Sequence, residues 1–142
     1  MRTMTHAEAL AFVGASPART AKVATVAADG APRVAPVWVA ADGEDIVFNT
    51  GVASAKAKAL RRDPRISLCF DDETPPFAFV IVQGVATISD DIDEVARWAA
   101  TIGGRYMGAD RAEEYGRRNG VPGELLVRVT PTKILSALDM AG

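Results

Sequence analysis

Two Asp-Gly pairs constrain the fold of this chain more than any other feature of its sequence. Asp29-Gly30 and Asp42-Gly43 separate three short segments rich in apolar and β-branched residues. Asp-Gly favours a tight turn between antiparallel strands, because glycine reaches positive φ without a steric clash. We therefore predict an antiparallel meander of strands over 22–28, 32–40 and 45–50.

A short basic helix is predicted next. Ser54 is a good N-cap residue, and Pro64 disfavours helical geometry in the residue before it, which bounds a helix at 55–62. Further strands are predicted over 65–70, 77–89 and 125–129, with a bulge at Gly84 in the second of them. Short strands with one helix between the third and fourth indicate a small antiparallel barrel, mainly β with peripheral helices.

Three more helices are expected around this barrel. Thr5-x-x-Glu8 is a capping box, which predicts a helix over 5–13 that stops at Gly14. After residue 89, helical spacing of Ile92, Val95, Ala99 and Ile102 predicts a helix that Gly103-Gly104 interrupts. Asp110-x-x-Glu113 then starts a helix that ends near Gly120.

Length and composition exclude several classes of protein. At 142 residues with a formal net charge of −2, the chain fits one domain, 1–142, and offers no general attraction for nucleic acid or an anionic membrane. No apolar run approaches a membrane span, so we expect a cytoplasmic protein. A single cysteine and a single histidine exclude an intrachain disulfide, the usual zinc sites and a Ser-His-Asp triad.

The sequence also contains no G-x-G-x-x-G, no P-loop and no H-E-x-x-H motif. An enzyme without an evident nucleophile or metal site commonly relies on an organic cofactor. The segment 50–65 is the best candidate for holding one, because five cations there face one acid, Asp63: Lys56, Lys58, Arg61, Arg62 and Arg65.

The start of the helix at 55–62 has the features of a phosphate site. Its free amides after Ser54, the hydroxyls of Thr50 and Ser54, and the ammonium of Lys56 would converge on one anion. A solvated basic helix face is the alternative. Lys56 favours the site, because a cation in a first turn opposes the helix dipole unless an anion binds there.

A flat ring could bind beside this anion site. Pro36 must lie at a sheet edge or a ladder gap, where unpaired backbone groups could bind the ring's polar rim. For Trp38 we favour the core or a dimer interface, and a wall of the site is the alternative. Phe77 and Phe79 share one face of their predicted strand and could line the same cavity, or simply pack in the core.

These segments together resemble the pyridoxamine 5′-phosphate oxidase-like family, and particularly its actinobacterial branch that uses the deazaflavin coenzyme F420. The residues that carry the resemblance are Ala27-Ala28-Asp29-Gly30-Ala31-Pro32, Val47-Phe48-Asn49-Thr50, Ser54-Ala55-Lys56, Leu60-Arg61-Arg62-Asp63-Pro64-Arg65 and Val82-Gln83-Gly84-Val85-Ala86.

The resemblance implies an FMN-binding-like split β-barrel, formed as a homodimer with cofactor sites at the subunit interface. The cofactor-binding residues that it implies are Pro36, Val37, Trp38, Thr50, Ser54, Ala55, Lys56 and Phe79. The sequence departs from true pyridoxamine phosphate oxidases at two positions: Ala35 replaces an arginine for the flavin phosphate, and Phe79 replaces a glutamine near the ring. Both departures argue against that exact activity and against FMN as the cofactor.

The first functional hypothesis is therefore an F420-dependent reductase that transfers a hydride to an electron-poor small molecule, with a proton from solvent or from a tyrosine such as Tyr106. An FMN-dependent oxidoreductase of the same fold is the second. A non-enzymatic protein that binds a flavin, haem or tetrapyrrole is the third. Substrate-specific contacts are expected within 103–115, because loops and interrupted helices around a rigid barrel vary most freely.

Overall fold

Seven strands form one antiparallel sheet in the computed structural model, which describes residues 1–142. Along the chain they are β1 (Ala21–Val26), β2 (Pro32–Val37), β3 (Ala40–Asp42), β4 (Asp45–Gly51), β5 (Arg65–Asp72), β6 (Ala78–Ser89) and β7 (Glu124–Ala137). Their order across the sheet is β2-β1-β5-β6-β7-β4-β3. The chain is therefore mainly β, as the sequence predicted.

The two edge strands of the sheet are consecutive in the chain. Only Trp38 and Val39 separate the end of β2 from the start of β3, yet these strands lie at opposite ends of the strand order. The three Cα–Cα steps from Val37 to Ala40 span at most about 11 Å. The sheet must therefore curl until its edges meet, which makes it a barrel.

The predicted meander was wrong at this point. Both turns form, with Gly30 at φ +86° and Gly43 at φ +61°, but residues 32–40 are not one strand. The segment pairs with β1 at one edge of the sheet as β2, and with β4 at the opposite edge as β3. Strand β4 in turn pairs with β7. Pro36 lies on an edge strand, as its missing N–H requires.

Alternating residues of the strands fill the barrel. Phe48, Leu68 and Phe70 are fully buried within a cluster of 18 buried residues. Helix α1 (His6–Val13) contributes Ala9 and Val13 to the same cluster, and Thr5 and Glu8 form the predicted capping box. Helix α2 (Ala55–Arg62) begins at the predicted N-cap Ser54, whose Oγ accepts a hydrogen bond from the amide of Ala57.

Two helices cover the outer face of the sheet near β4. Helix α3 (Ile92–Met107) continues through Gly103-Gly104, so the predicted interruption was wrong. A Cβ on Gly103 would lie 2.3 Å from the Cβ of Tyr115 in α4 (Ala112–Asn119). These glycines let the two helices approach closely.

Strand β7 is much longer than the predicted 125–129, because it continues past Pro131 and pairs with β6 as far as Ala137. The predicted bulge at Gly84 is confirmed by a register shift between Gln83 and Gly84. A Cβ on Gly84 would lie 2.4 Å from the carbonyl oxygen of Thr130, so only glycine fits there. None of the helices has the length and apolarity needed to cross a lipid bilayer.

Candidate functional site

A cavity of about 310 Å³ lies where β2 ends, beside the start of α2 and beneath α3 and α4. It has no acidic residue in its lining. The lining residues are Pro36, Val37, Trp38, Asn49, Thr50, Lys56, Ala99, Ile102, Gly103, Tyr115 and Asn119. The structure thus brings together Pro36, Val37, Trp38, Thr50 and Lys56, five residues that the sequence analysis selected.

Ser54 caps the start of α2 beside the cavity, although it is not itself one of the lining residues. Its Oγ lies 2.8 Å from the Oγ1 of Thr50, which positions both hydroxyls at the helix start. Lys56 lies in the first turn of α2, a turn that contains no acidic residue. The first amides of a helix have no acceptor within it, so this end of α2 presents N–H groups, hydroxyls and an ammonium to one region. A phosphate or carboxylate fits that donor set.

Trp38 forms an aromatic wall of the cavity and is 37% exposed, so it does not fill the core. Its indole is stacked on Tyr106, with ring centroids 5.1 Å apart, and meets the edge of Tyr115 at 5.8 Å. Arg105 donates a 2.7 Å hydrogen bond to the carbonyl oxygen of Val39, which anchors the next residue. A planar ligand could lie against this fixed surface.

Tyr106 supports the wall and does not line the cavity. Its hydroxyl donates to the carbonyl oxygen of Arg19 at 2.6 Å and accepts from the amide of Val39 at 3.1 Å. Burial, only partly offset by the bond from Val39, raises the pKa of Tyr106. Its proton is therefore committed to the backbone, which argues against the suggested role of Tyr106 as proton donor. Tyr115 is the tyrosine in the cavity lining.

The α3–α4 pair positions Tyr115 and Asn119 through small residues. Gly103 leaves space for the Tyr115 side chain, and a Cβ on Gly116 would lie 3.1 Å from the Cβ of Ala100. Close helix approach brings α4 over the cavity. The sequence singled out 103–115 for substrate contacts. It did not single out Asn119, and Asn49 stood only within a resemblance segment, without a role of its own.

Three of the selected residues are absent from the cavity lining: Ser54, which caps α2 beside the cavity, Ala55 and Phe79. Ala55 lines a neighbouring cleft on the other side of α2, together with Arg33, Lys58 and Arg62. Phe79 lies on β6 beside Phe77 and Met140, in a separate shallow cleft. Phe77 itself precedes β6 with φ +65°, so the two phenylalanines do share a cleft, but not the one that contains Lys56.

Comparison with solved structures shows that this barrel recurs. A conserved hypothetical protein from Mycobacterium tuberculosis is 30% identical, with 97% of this chain and 87% of that one covered at a TM-score of 0.85. An F420 reductase is 24% identical, with 82% and 88% covered at a TM-score of 0.66. A FAD-binding protein from Mesorhizobium loti is 17% identical, with 95% of each chain covered at 0.70. Among curated proteins nothing matches.

The seven-stranded sheet closes into the split β-barrel that these structures share. The family model described as pyridoxamine 5′-phosphate oxidase matches residues 6–136, and the chain belongs to that family.

Proposed function

We propose that this protein is an F420-dependent oxidoreductase, in which the reduced deazaflavin transfers a hydride to an electron-poor organic acceptor. The observation that carries the proposal is the cavity itself, where Lys56 and the start of α2 lie beside an aromatic wall with no carboxylate nearby. An F420 reductase with the same fold supports the choice of cofactor.

In this proposal the protein chain binds the cofactor and orients it. Lys56, Ser54 and Thr50 hold the phosphate of the cofactor, while Pro36, Val37 and Trp38 lie along its ring. Bound deazaflavin supplies two-electron chemistry at a ring carbon, so no side chain has to act as a nucleophile. Ala99, Ile102 and Gly103 form an apolar side of the cavity that helps exclude water.

We further propose that two copies of the chain complete each site. The cavity is at the small end of the range of about 300–1,000 Å³ that ligand sites occupy. On the outer face of the sheet, Val85 and Leu135 are 41% and 39% exposed. A second copy covering such apolar side chains would form a homodimer. Sedimentation at increasing concentration tests this, and a monomer at all concentrations would contradict it.

The FAD-binding structure and the family description favour a flavin as the alternative cofactor. A non-enzymatic binder of flavin, haem or tetrapyrrole is the third reading. Titration of the purified protein with F420, FMN and haemin at equal ionic strength, followed by fluorescence or absorbance, separates the three.

We expect F420 to bind at micromolar or lower concentration and FMN much more weakly. Preference for FMN would replace the first proposal with the second. Tight haemin binding without turnover of any reduced cofactor would favour the third. Once F420 binding is established, oxidation of reduced F420 by a panel of electron-poor acceptors tests the hydride transfer itself.

A further inference from the structure

Asn49 is the one cavity residue with a buried polar atom that the chain leaves unsatisfied. Two buried side-chain nitrogens have no hydrogen-bond partner, the Nδ2 of Asn49 and the Nε1 of Trp98. Of these residues only Asn49 lines the cavity. A buried amide without a partner destabilises the fold, because it loses its hydrogen bonds to water. Its presence therefore calls for a partner from outside the chain.

Asn49 and the aromatic wall line the same cavity. Asn49 lies on β4 two residues beyond Val47, the last β4 residue that pairs with β3, and Trp38 lies two residues before its partner Ala40. On its other side Asn49 pairs with Leu126 of β7, which fixes its backbone. A flat ligand held against Trp38 would thus meet the carboxamide with its edge.

A carboxamide has a distinctive recognition chemistry. It presents one acceptor and one donor group side by side, and a half-turn about the Cβ–Cγ bond exchanges them without changing the shape of the side chain. The complementary ligand edge has a carbonyl oxygen next to an N–H. Lactams and imides have this edge, and so does the pyrimidine end of flavin and deazaflavin rings, where N3–H lies between two carbonyl groups.

We infer that Asn49 recognises the imide edge of the bound ring, through paired hydrogen bonds to a ring carbonyl and to N3–H. This inference rests on the proposed function, because it takes the ring to be a deazaflavin or flavin. Lys56 then binds the anionic end of the ligand and Asn49 binds the heterocycle, at two separate points of one cavity.

Replacing Asn49 with leucine should change the stability of the apo protein and its affinity for F420 in opposite directions. Asn49→Leu removes an unpaired buried amide, so the apo protein should unfold at an equal temperature or about 3 °C higher. The same substitution should weaken F420 binding about tenfold, because the ring loses its paired hydrogen bonds. Asn49→Ala, which cannot clash, should weaken binding equally. Trp98→Phe, which removes the other unpaired N–H away from the cavity, should leave binding unchanged.

A second arm uses the ligand. Methylation of N3 on the deazaflavin chromophore blocks the N–H, so wild-type protein should bind the methylated chromophore about tenfold more weakly than the parent. Asn49→Leu should bind both chromophores equally. If this variant still discriminates between them, or if it keeps wild-type affinity for F420, the inference is wrong while the proposed function stands.

Loss of folding in both Asn49 variants would show that the amide is structural, and would also overturn the inference. If wild-type protein binds neither deazaflavin nor flavin, the proposed function fails, and the inference fails with it. The wild-type titration therefore separates the two failures.

Discussion

The indole of Trp38 lies parallel to the ring of Tyr106, with 4° between the two planes and 5.1 Å between their centroids. The Tyr106 hydroxyl holds this pair in place by joining the backbone at Arg19 and Val39. The wall of the cavity is therefore fixed before any ligand binds. A rigid wall reduces the ordering that binding would otherwise require.

Tyr106→Phe should destabilise the fold by about 1–3 kcal/mol, because the carbonyl of Arg19 and the amide of Val39 both lose their partner. Denaturant unfolding measures this change. The raised pKa of Tyr106 means that the hydroxyl stays a neutral donor, so its contribution should not vary between neutral pH and pH 9.

Tyr115→Phe provides the contrast with Tyr106→Phe. It should change stability by less than about 0.5 kcal/mol, because the hydroxyl of this buried tyrosine has no hydrogen-bond partner in the chain that the substitution would leave unpaired. If Tyr115 supplies a proton or a hydrogen bond to the acceptor, turnover of reduced F420 should fall while F420 affinity is kept. Equal turnover in wild type and variant would remove Tyr115 from the reaction.

Lys56→Ala should weaken F420 binding about 10–100-fold, which corresponds to the loss of a charge-assisted hydrogen bond. Lys58→Ala is the matched control, since Lys58 is on the same helix and carries the same charge but lines the neighbouring cleft. Titrations of both variants at one ionic strength measure the difference. Equal losses would mean that α2 attracts anions only through its overall charge.

Gly103→Ala should destabilise the protein by about 1–3 kcal/mol, despite the better helix propensity of alanine. The new Cβ would lie 2.3 Å from that of Tyr115, so α4 would have to move. Gly51→Ala is the control, because a Cβ there meets nothing within 4 Å. A thermal unfolding midpoint that both substitutions leave unchanged would contradict the tight α3–α4 contact.

Asp63 should stabilise the fold by an amount that depends on pH. Hydrogen bonds from the side chain and backbone of Arg65 lower the pKa of Asp63 to about 2 from its ordinary 3.8. A carboxyl with a lowered pKa stabilises the fold above its ordinary pKa and loses that effect as the pH falls through its folded value. Asp63→Asn should therefore be less stable than wild type at pH 6, and this difference should shrink as the pH falls towards 2 and vanish below that pH.

Local chemistry was readable from the sequence. Thr5 and Ser54 cap helices because their side chains reach amides two or three residues away, and Gly84 marks its bulge because no other residue fits. Features that depend on contacts between distant parts of the chain could not be predicted from the sequence. The break at Trp38 follows from barrel closure, and the role of Gly103 depends on a helix that packs from elsewhere, so local propensity predicted a strand and an interruption instead.

The link between Trp38 and Val39 has a further consequence. No ladder of hydrogen bonds joins β2 to β3. Only the covalent chain and side-chain packing hold these two edge strands together. A molecule bound against Trp38 would stabilise the barrel at this gap between β2 and β3. Amide hydrogen exchange should then slow at both sheet margins when a ligand binds, including the margin that the ligand never touches.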